Sequence, residues 1–369
     1  MSRSNNAPEH LRIAVMGLNF GSLFLATYIA HPDVAELGIV DANVNLLTNV
    51  GDKYSISKRY RSLDQLIADG SWDAVHICTP LNLHALQAKE AMEGGLHVAS
   101  AVTAGSSLSE LADLVGAQRA TGRTYMMMET SIYSREFLYV KELYKSGVLG
   151  RIQYMRGAHF QDLTGYPDYW LTLPPMHYST HALAPLLHLL GASAKSVSCV
   201  PSGSRQAPYE EYFPIEVATF ELEGPDADKV IAVVTRSMVE AAVEMKESFD
   251  IFGDKATFLW RLTEQQSDVV IRLGPEVKGQ RERAADIEYP DIPYRIGDLP
   301  AALRDHSAVD RDRNSLPHLV HEFVRSIIEA RQPLVDVNTA ANWTAAGLMA
   351  HESAIAGGTR LDIPIFVDP

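Results

Sequence analysis

Along the first 130 residues, short apolar runs alternate with stretches of helical periodicity. Leu11–Met16 is a mostly apolar run of the kind that forms a strand buried on both faces. The pattern predicts a helix over Gly21–Ala30 and a strand over Leu37–Val40 that ends in Asp41. A strand over Ala74–Cys78 is followed by a helix over Leu83–Glu93, closed by Gly94 and Gly95. Strands at His97–Ala101 and Thr124–Met128 flank a helix at Leu108–Thr121. Such alternation predicts an α/β fold whose first domain, residues 1–130, is a doubly wound parallel sheet of Rossmann type.

After Glu129 the pattern changes. Phe137–Ser146 reads as a helix joining two domains. Ile152–Phe160, Ser196–Val200, Glu216–Leu222, Val230–Arg236 and Glu247–Phe252 are rich in β-branched and aromatic residues. Val217–Glu221 alternates as a half-buried antiparallel strand does. Helices return at Leu316–Ala330 and Thr339–Ala356, and the charged, proline-containing stretch 274–314 reads as a long surface excursion. Residues 131–369 are therefore expected to form a second α/β domain, with its C-terminal helices able to pack back on the first.

Charge narrows the partners. The net formal charge is −14 and no Lys/Arg cluster stands out, which argues against nucleic acid and anionic membrane. Met1–His10 is polar, without the apolar core of a signal peptide, and no stretch approaches the roughly 20 apolar residues that cross a bilayer. With only Cys78 and Cys199 present, the expected setting is cytoplasmic, with both thiols reduced.

The first strand runs into Gly17-Leu18-Asn19-Phe20-Gly21-Ser22. A dinucleotide turn needs glycine first, for the tight bend, then small residues for pyrophosphate approach and for helix packing. Gly17 fits the first role; Asn19 and Ser22 take the second and third. Asp41, 24 residues after Gly17, is placed to accept hydrogen bonds from the adenosine ribose and to repel a 2′-phosphate. The expected cofactor is NAD rather than NADP.

Three further motifs keep order along the chain: Cys78-Thr79-Pro80-Leu81-Asn82-Leu83-His84, Gly95-Leu96-His97-Val98 and Gly147-Val148-Leu149-Gly150. Together they resemble the Gfo/Idh/MocA family (glucose–fructose oxidoreductase, inositol dehydrogenase and relatives), over about residues 12–364. The resemblance implies NAD(P)-dependent chemistry on sugars, polyols or their derivatives, with Thr79, Pro80, Asn82 and His84 on the cofactor side. It also implies a second domain built on an open, mainly antiparallel sheet that often carries oligomer contacts, hence a homo-oligomer, dimer or tetramer. The family's usual Glu-Lys-Pro is replaced by Ala101-Val102-Thr103, so its lysine is absent. Its usual Asp-x-Gly-x-His falls on His177 to His181, placing His177 at the aspartate position. Tyr178 to Pro185 also resembles the family's NAD-dependent glycosidases, in which bound cofactor oxidises the sugar transiently.

His181 is the expected acid/base, since alcohol oxidation needs a hydroxyl proton removed and imidazole titrates near neutral pH. His177 is expected to assist by orienting substrate, relaying the proton, or pairing with His181 on a metal, with His159, Asp162 or Glu129 as third ligand. If the segment from Tyr178 to Leu190 is helical, His177 and His181 share a face, while Pro185 predicts a kink or a late start. His188, about 10 Å further along, is expected to pack. His159, Asp162, Tyr169 and Trp170 combine polar tips with flat faces, which suits either a polyhydroxylated ligand or simple cover for the sheet. Glu129, Tyr133 and Arg135 are expected to face the substrate, with Arg135 favouring a carboxylated sugar, and Tyr178 to line the same site. The readings kept open are net oxidation of a carbohydrate-like substrate, transient oxidation by retained NAD in a lyase, epimerase or glycosidase, and a non-catalytic sensor of NAD and sugar.

Overall fold

Leu11, Ile13, Ala14 and Val15 have no solvent exposure, because their strand β1 (Leu11–Met16) is central and covered on both faces. The computed structural model describes residues 9–170, 173–203, 213–276, 278–279, 281–307 and 315–367. Residues 1–8 of the polar N-terminus, residues 277 and 280, and residues 308–314 at the end of the expected surface excursion lie outside them.

Two units divide the chain: residues 1–133, 295–341 and 366–369 form the first, and residues 134–294 and 342–365 the second. In the first, β1 is followed by α1 (Leu18–Ala30), β2 (Val34–Val40), α2 (Val44–Lys53), β3 (Lys58–Tyr60) and α3 (Leu63–Asp69). Then come β4 (Ala74–Ile77), α4 (His84–Glu93), β5 (His97–Ser100), α5 (Leu108–Thr121) and β6 (Tyr125–Met127). The sheet runs β3-β2-β1-β4-β5-β6, every pair parallel. The order reverses beside β1, and there the loops after β1 and β4 open a crevice of the kind that binds nucleotides.

Three of these elements, α2, β3 and α3, fall in a stretch that the apolar pattern left blank. Local chemistry makes them. Asn43 Oδ1 accepts the backbone N–H groups of Asn45 and Leu46 at 3.1 and 3.2 Å, capping α2. Ser62 caps α3 through the Gln65 N–H, and Gly70 closes it in the left-handed conformation.

The second unit begins with α6 (Arg135–Lys145), β7 (Ile152–Phe160) and α7 (Thr180–Leu190). It continues through β8 (Ser193–Ser202), β9 (Ile215–Gly224), β10 (Ala227–Ser237), β11 (Glu247–Gly253), β12 (Ala256–Leu259), β13 (Val269–Leu273) and β14 (Ala285–Glu288). After β14 come α8 (Ala301–Ser307) and α9 (Ser315–Ile328) of the first unit, α10 (Val337–Ile355), which runs from the first unit into the second, and β15 (Leu361–Asp362) of the second. The sheet order is β14-β13-β12-β11-β7-β10-β9-β8-β15, antiparallel except for the central β7–β10 pair. This is the expected open, mainly antiparallel sheet.

The stretch 274–314 is not all surface excursion. It carries β14 and α8, and Ile292, Leu299 and Leu303 are buried. In α9, Leu316, Leu319, Val320, Phe323, Val324 and Ile327 recur at helical spacing and join Phe24, Leu25 and Tyr28 of α1 in the core of the first unit.

Candidate active site

Gly17 has φ +87°, and a Cβ there would stand 2.5 Å from the carbonyl oxygen of Cys78, so backbone shape and space both demand glycine. The third small-residue role falls on Gly21 rather than Ser22: a Cβ on Gly21 would stand 2.7 Å from Val15 Cγ1, which brings α1 hard against β1. Asn19 and Phe20 are exposed on the first turn of α1. Asp41 Oδ2 accepts the Leu18 N–H and Oδ1 the Asn43 N–H, both at 2.8 Å. Its carboxylate is thus oriented beside the glycine turn, with a lone pair on each oxygen still to offer.

Around β4, Thr79 Oγ1 donates to Gln87 Oε1 at 2.5 Å, Pro80 is half-buried and Asn82 is exposed. His84 is buried, its ring nitrogens 2.9 Å from the Thr103 carbonyl and 2.8 Å from that of Thr79. Its two ring nitrogens are thus turned toward the backbone of the loops after β4 and β5. Burial lowers its imidazole while the two carbonyls raise it, burial prevailing. Val102, at the position of the family's lysine, is 6% exposed and brings no charge.

In the second unit the site is built on a polar row across three strands. On the helix-facing side of the sheet, His159 of β7, Arg236 of β10 and Glu216 of β9 are register neighbours. Glu216 and Arg236 have no exposure and His159 is 3% exposed. Opposite charges on adjacent strands offset part of each other's burial cost.

This row grips the segment that leads into α7. Arg236 Nε donates to the Tyr178 carbonyl at 3.0 Å, and Glu216 Oε2 accepts the Met176 N–H at 2.9 Å. Arg236 also donates to the carbonyls of His159 and Ser237 and to Gln161 Oε1. Gly157 lets α7 lie on β7, since a Cβ there would stand 2.1 Å from the Ala182 carbonyl oxygen.

His181, on the first turn of α7, lies against two of the expected site residues, Tyr178 and His159. Its Nε2 is 3.2 Å from the Tyr178 hydroxyl, and its ring is 5.2 Å from that of Tyr178 and 5.3 Å from that of His159. Trp170 stands edge-on to Tyr178 at 4.9 Å, with Tyr166 and Tyr169 against Trp170. The Arg236 guanidinium lies 5.6 Å from the centre of the Tyr178 ring, within cation–π range. His159 Nδ1 has no hydrogen-bond partner among the described residues. Burial, then the charges of Arg236, His181 and Lys246, hold its imidazole well below the ordinary range.

The structure does not put His177 and His181 on one helix face. His177 lies on a 3₁₀ turn over Pro175–Tyr178, and α7 starts only at Thr180, with Pro185 inside it. The late start agrees with the expectation from Pro185; the shared face does not. The His177 ring packs against His351 at 5.2 Å instead.

Several expected substrate residues are engaged elsewhere. Glu129 is buried and accepts the Ser131 N–H at 3.0 Å. Tyr133 stacks on His318 in the first unit. Arg135 pairs with Glu136 at 2.9 Å, donates to the Ile292 carbonyl and lies over Tyr294. Asp162 Oδ1 accepts from Thr164 N and Oγ1 at 2.9 and 2.8 Å, which lowers its carboxyl. His188 packs against Phe137 and Trp343. Among the described residues no three His, Cys, Asp or Glu side chains are grouped to hold a metal ion, and no helix is long and apolar enough to cross a membrane.

The first unit is thus a Rossmann fold, and the second offers histidine, tyrosine and a buried cation. Residues 11–128 match the model of the Gfo/Idh/MocA oxidoreductase family, NAD-binding Rossmann fold, and NAD is the cofactor of this domain. The chain is 23% identical over 402 residues, 98% of its length and 84% of the relative's, to a glycosyl hydrolase family 109 protein of Saccharopolyspora erythraea. It shares its fold with levoglucosan dehydrogenase in complex with NADH and L-sorbose, at TM-score 0.80, 18% identity, and coverage of 97% and 100% of the two chains. Myo-inositol 2-dehydrogenase from Lactobacillus plantarum superposes at TM-score 0.74 with 19% identity, covering 96% and 100%.

Proposed function

We propose that this protein uses NAD to oxidise a CH–OH group of a sugar, polyol, cyclitol or sugar derivative. The observation that carries the reading is the Tyr178–His181 pair, hydrogen-bonded at 3.2 Å in a domain joined to an NAD-binding Rossmann domain. NAD, when bound, would supply the acceptor for the hydride of the alcohol carbon. The hydroxyl proton must leave to a base, and His181 is that base, with the Tyr178 hydroxyl sharing its proton with Nε2. The fixed charge of Arg236 beneath Tyr178 favours anionic oxygen nearby, a service that Val102 cannot perform where the family has lysine. Trp170 and Tyr178 offer flat faces to the C–H edges of a ring. Gly17, Asn19, Phe20 and Gly21 would hold the pyrophosphate end of NAD, and Asp41 its ribose. The fit is supported by the space reserved at Gly17 and by the orientation of the Asp41 carboxylate.

A second reading keeps NAD bound and returns the hydride after elimination, so that a glycosidic bond is cleaved without net oxidation. The glycosyl hydrolase family 109 relatives, matched over nearly the whole chain, favour it. A panel of polyols and glycosides separates the two, followed by NADH absorbance and product analysis together. NADH formed with product supports net oxidation, and product without NADH supports the transient form. Binding with neither would leave a sensor and overturn both.

A further inference from the structure

Beside the His181 cluster, the second unit holds a second line of titratable side chains that no motif joins. Glu216 has no exposure and His351, on α10, is 3% exposed. Oε1 of Glu216 and Nδ1 of His351 are 2.6 Å apart, and Oε2 accepts the Met176 N–H. Glu216 is acceptor-only as a carboxylate, and one of its oxygens is already taken by a backbone N–H. The short contact is then a proton donated by Nδ1 of His351, and such a partner fixes both the tautomer and the plane of the ring.

Outward from His351 stands His177, its ring perpendicular at 88° and 5.2 Å between centres. The approach is built in. Gly347 lies one turn before His351, where a Cβ would stand 2.3 Å from the Met176 carbonyl oxygen and 2.7 Å from Ser179 Oγ. Among the described residues the ring nitrogens of His177 have no hydrogen-bond partner, and the side chain is only half-buried. Burial and the neighbouring His351 push its imidazole down to about 3. At neutral pH it therefore offers one N–H and one lone pair, which is the complement of a hydroxyl group.

We propose that Glu216 and His351 are positioning residues: the carboxylate fixes His351, and the His351 ring holds His177 in one orientation to bind a hydroxyl of the substrate. The proposal rests on the reading of a carbohydrate-like substrate and gives His177 a binding role in place of the proton-handling one.

The test is NMR of the full chain with ¹³C,¹⁵N-labelled histidine, NAD present, and His177 assigned through His177→Gln. In the wild type the His177 side chain should hold one rotamer, read from its Cα–Cβ couplings, unchanged from pH 8 to 5. In Glu216→Gln and in His351→Gln those couplings should average as the ring samples several rotamers, with circular dichroism and NAD affinity preserved. Averaged couplings in the wild type, which needs no variant to fold, overturn the proposal, as do couplings unmoved in both variants. None of this needs turnover, so it stands apart from any failure of the oxidoreductase reading. With a polyol that is turned over in hand, Glu216→Gln should raise KM roughly tenfold and change kcat less than twofold. A loss confined to kcat would return His177 to proton handling and overturn the binding role.

Discussion

Arg236 and Glu216 stand opposite each other on neighbouring antiparallel strands, both without solvent exposure. Each spends hydrogen bonds on the backbone between Met176 and Tyr178, so the two buried charges set the shape of the segment that carries the site. Replacing Arg236 with Met keeps the unbranched apolar stem of the side chain but leaves three carbonyls and an amide oxygen without their donor. Arg236→Met should lose about 3 kcal/mol or more of stability, measured by urea unfolding. Arg236→Lys should recover only part, because one ammonium cannot reproduce the fork. A loss below about 0.5 kcal/mol in Arg236→Met would show that the row is not structural.

For the cofactor, the expectation is tighter binding of NAD than of NADP by calorimetry. Both oxygens of Asp41 also hold backbone N–H groups, so Asp41→Ala would disturb the turn as well as the ribose contact. Asp41→Asn is the cleaner variant. It should narrow the NAD preference by removing the charge that repels a 2′-phosphate. Equal affinities in the wild type would sink the assignment.

Much of the fold could be read from the sequence because local and global signals agree there. Helix α5 has the expected bounds, with Ser107 capping Glu110 N–H and Gly122 closing the other end. Helix α2 was hidden because VNLLTNVGDK is poor in strong helix formers, and a cap rather than a stripe defines it. The shared face of His177 and His181 failed for a local reason. Pro174 and Pro175 tighten the chain into a 3₁₀ turn, and α7 begins only after Ser179. Arg236 and Glu216 were missed because a charge on a strand is read as its solvent side. Yet the alternation Val230, Ala232, Val234, Arg236 and Glu216, Ala218, Phe220, Leu222 puts both on the buried faces. A charged residue in phase with an apolar face was the available signal.

The depressed imidazole of His177 has a sign that can be checked. Its folded value is about 3 against an unfolded value near 6.5. The unfolded chain therefore binds the extra proton between these limits, and stability is fully present above 6.5 and lost as pH falls toward 3. One such group contributes at most about 1.4 kcal/mol per pH unit. His31, His76, His97 and His188 are depressed in the same direction, so the wild-type slope is a sum. His177→Gln should flatten unfolding free energy against pH between 6 and 4, relative to wild type. Parallel curves would mean that His177 titrates normally in the fold.

The last prediction concerns the pair proposed to handle the proton. His181 Nε2 and the Tyr178 hydroxyl are 3.2 Å apart, and neither lies in the Rossmann domain. His181→Ala should abolish turnover of any substrate found while leaving NAD affinity nearly unchanged. Tyr178→Phe keeps the ring that packs on Trp170, His159 and the Arg236 guanidinium and removes only the hydroxyl. Its folding should therefore match wild type, and kcat should fall by roughly 100-fold, the scale of losing a positioned acid–base partner. If turnover instead survives both substitutions, the proton leaves by another route. His159, whose ring is 5.3 Å from that of His181 and whose Nδ1 has no partner among the described residues, is then the next side chain to remove.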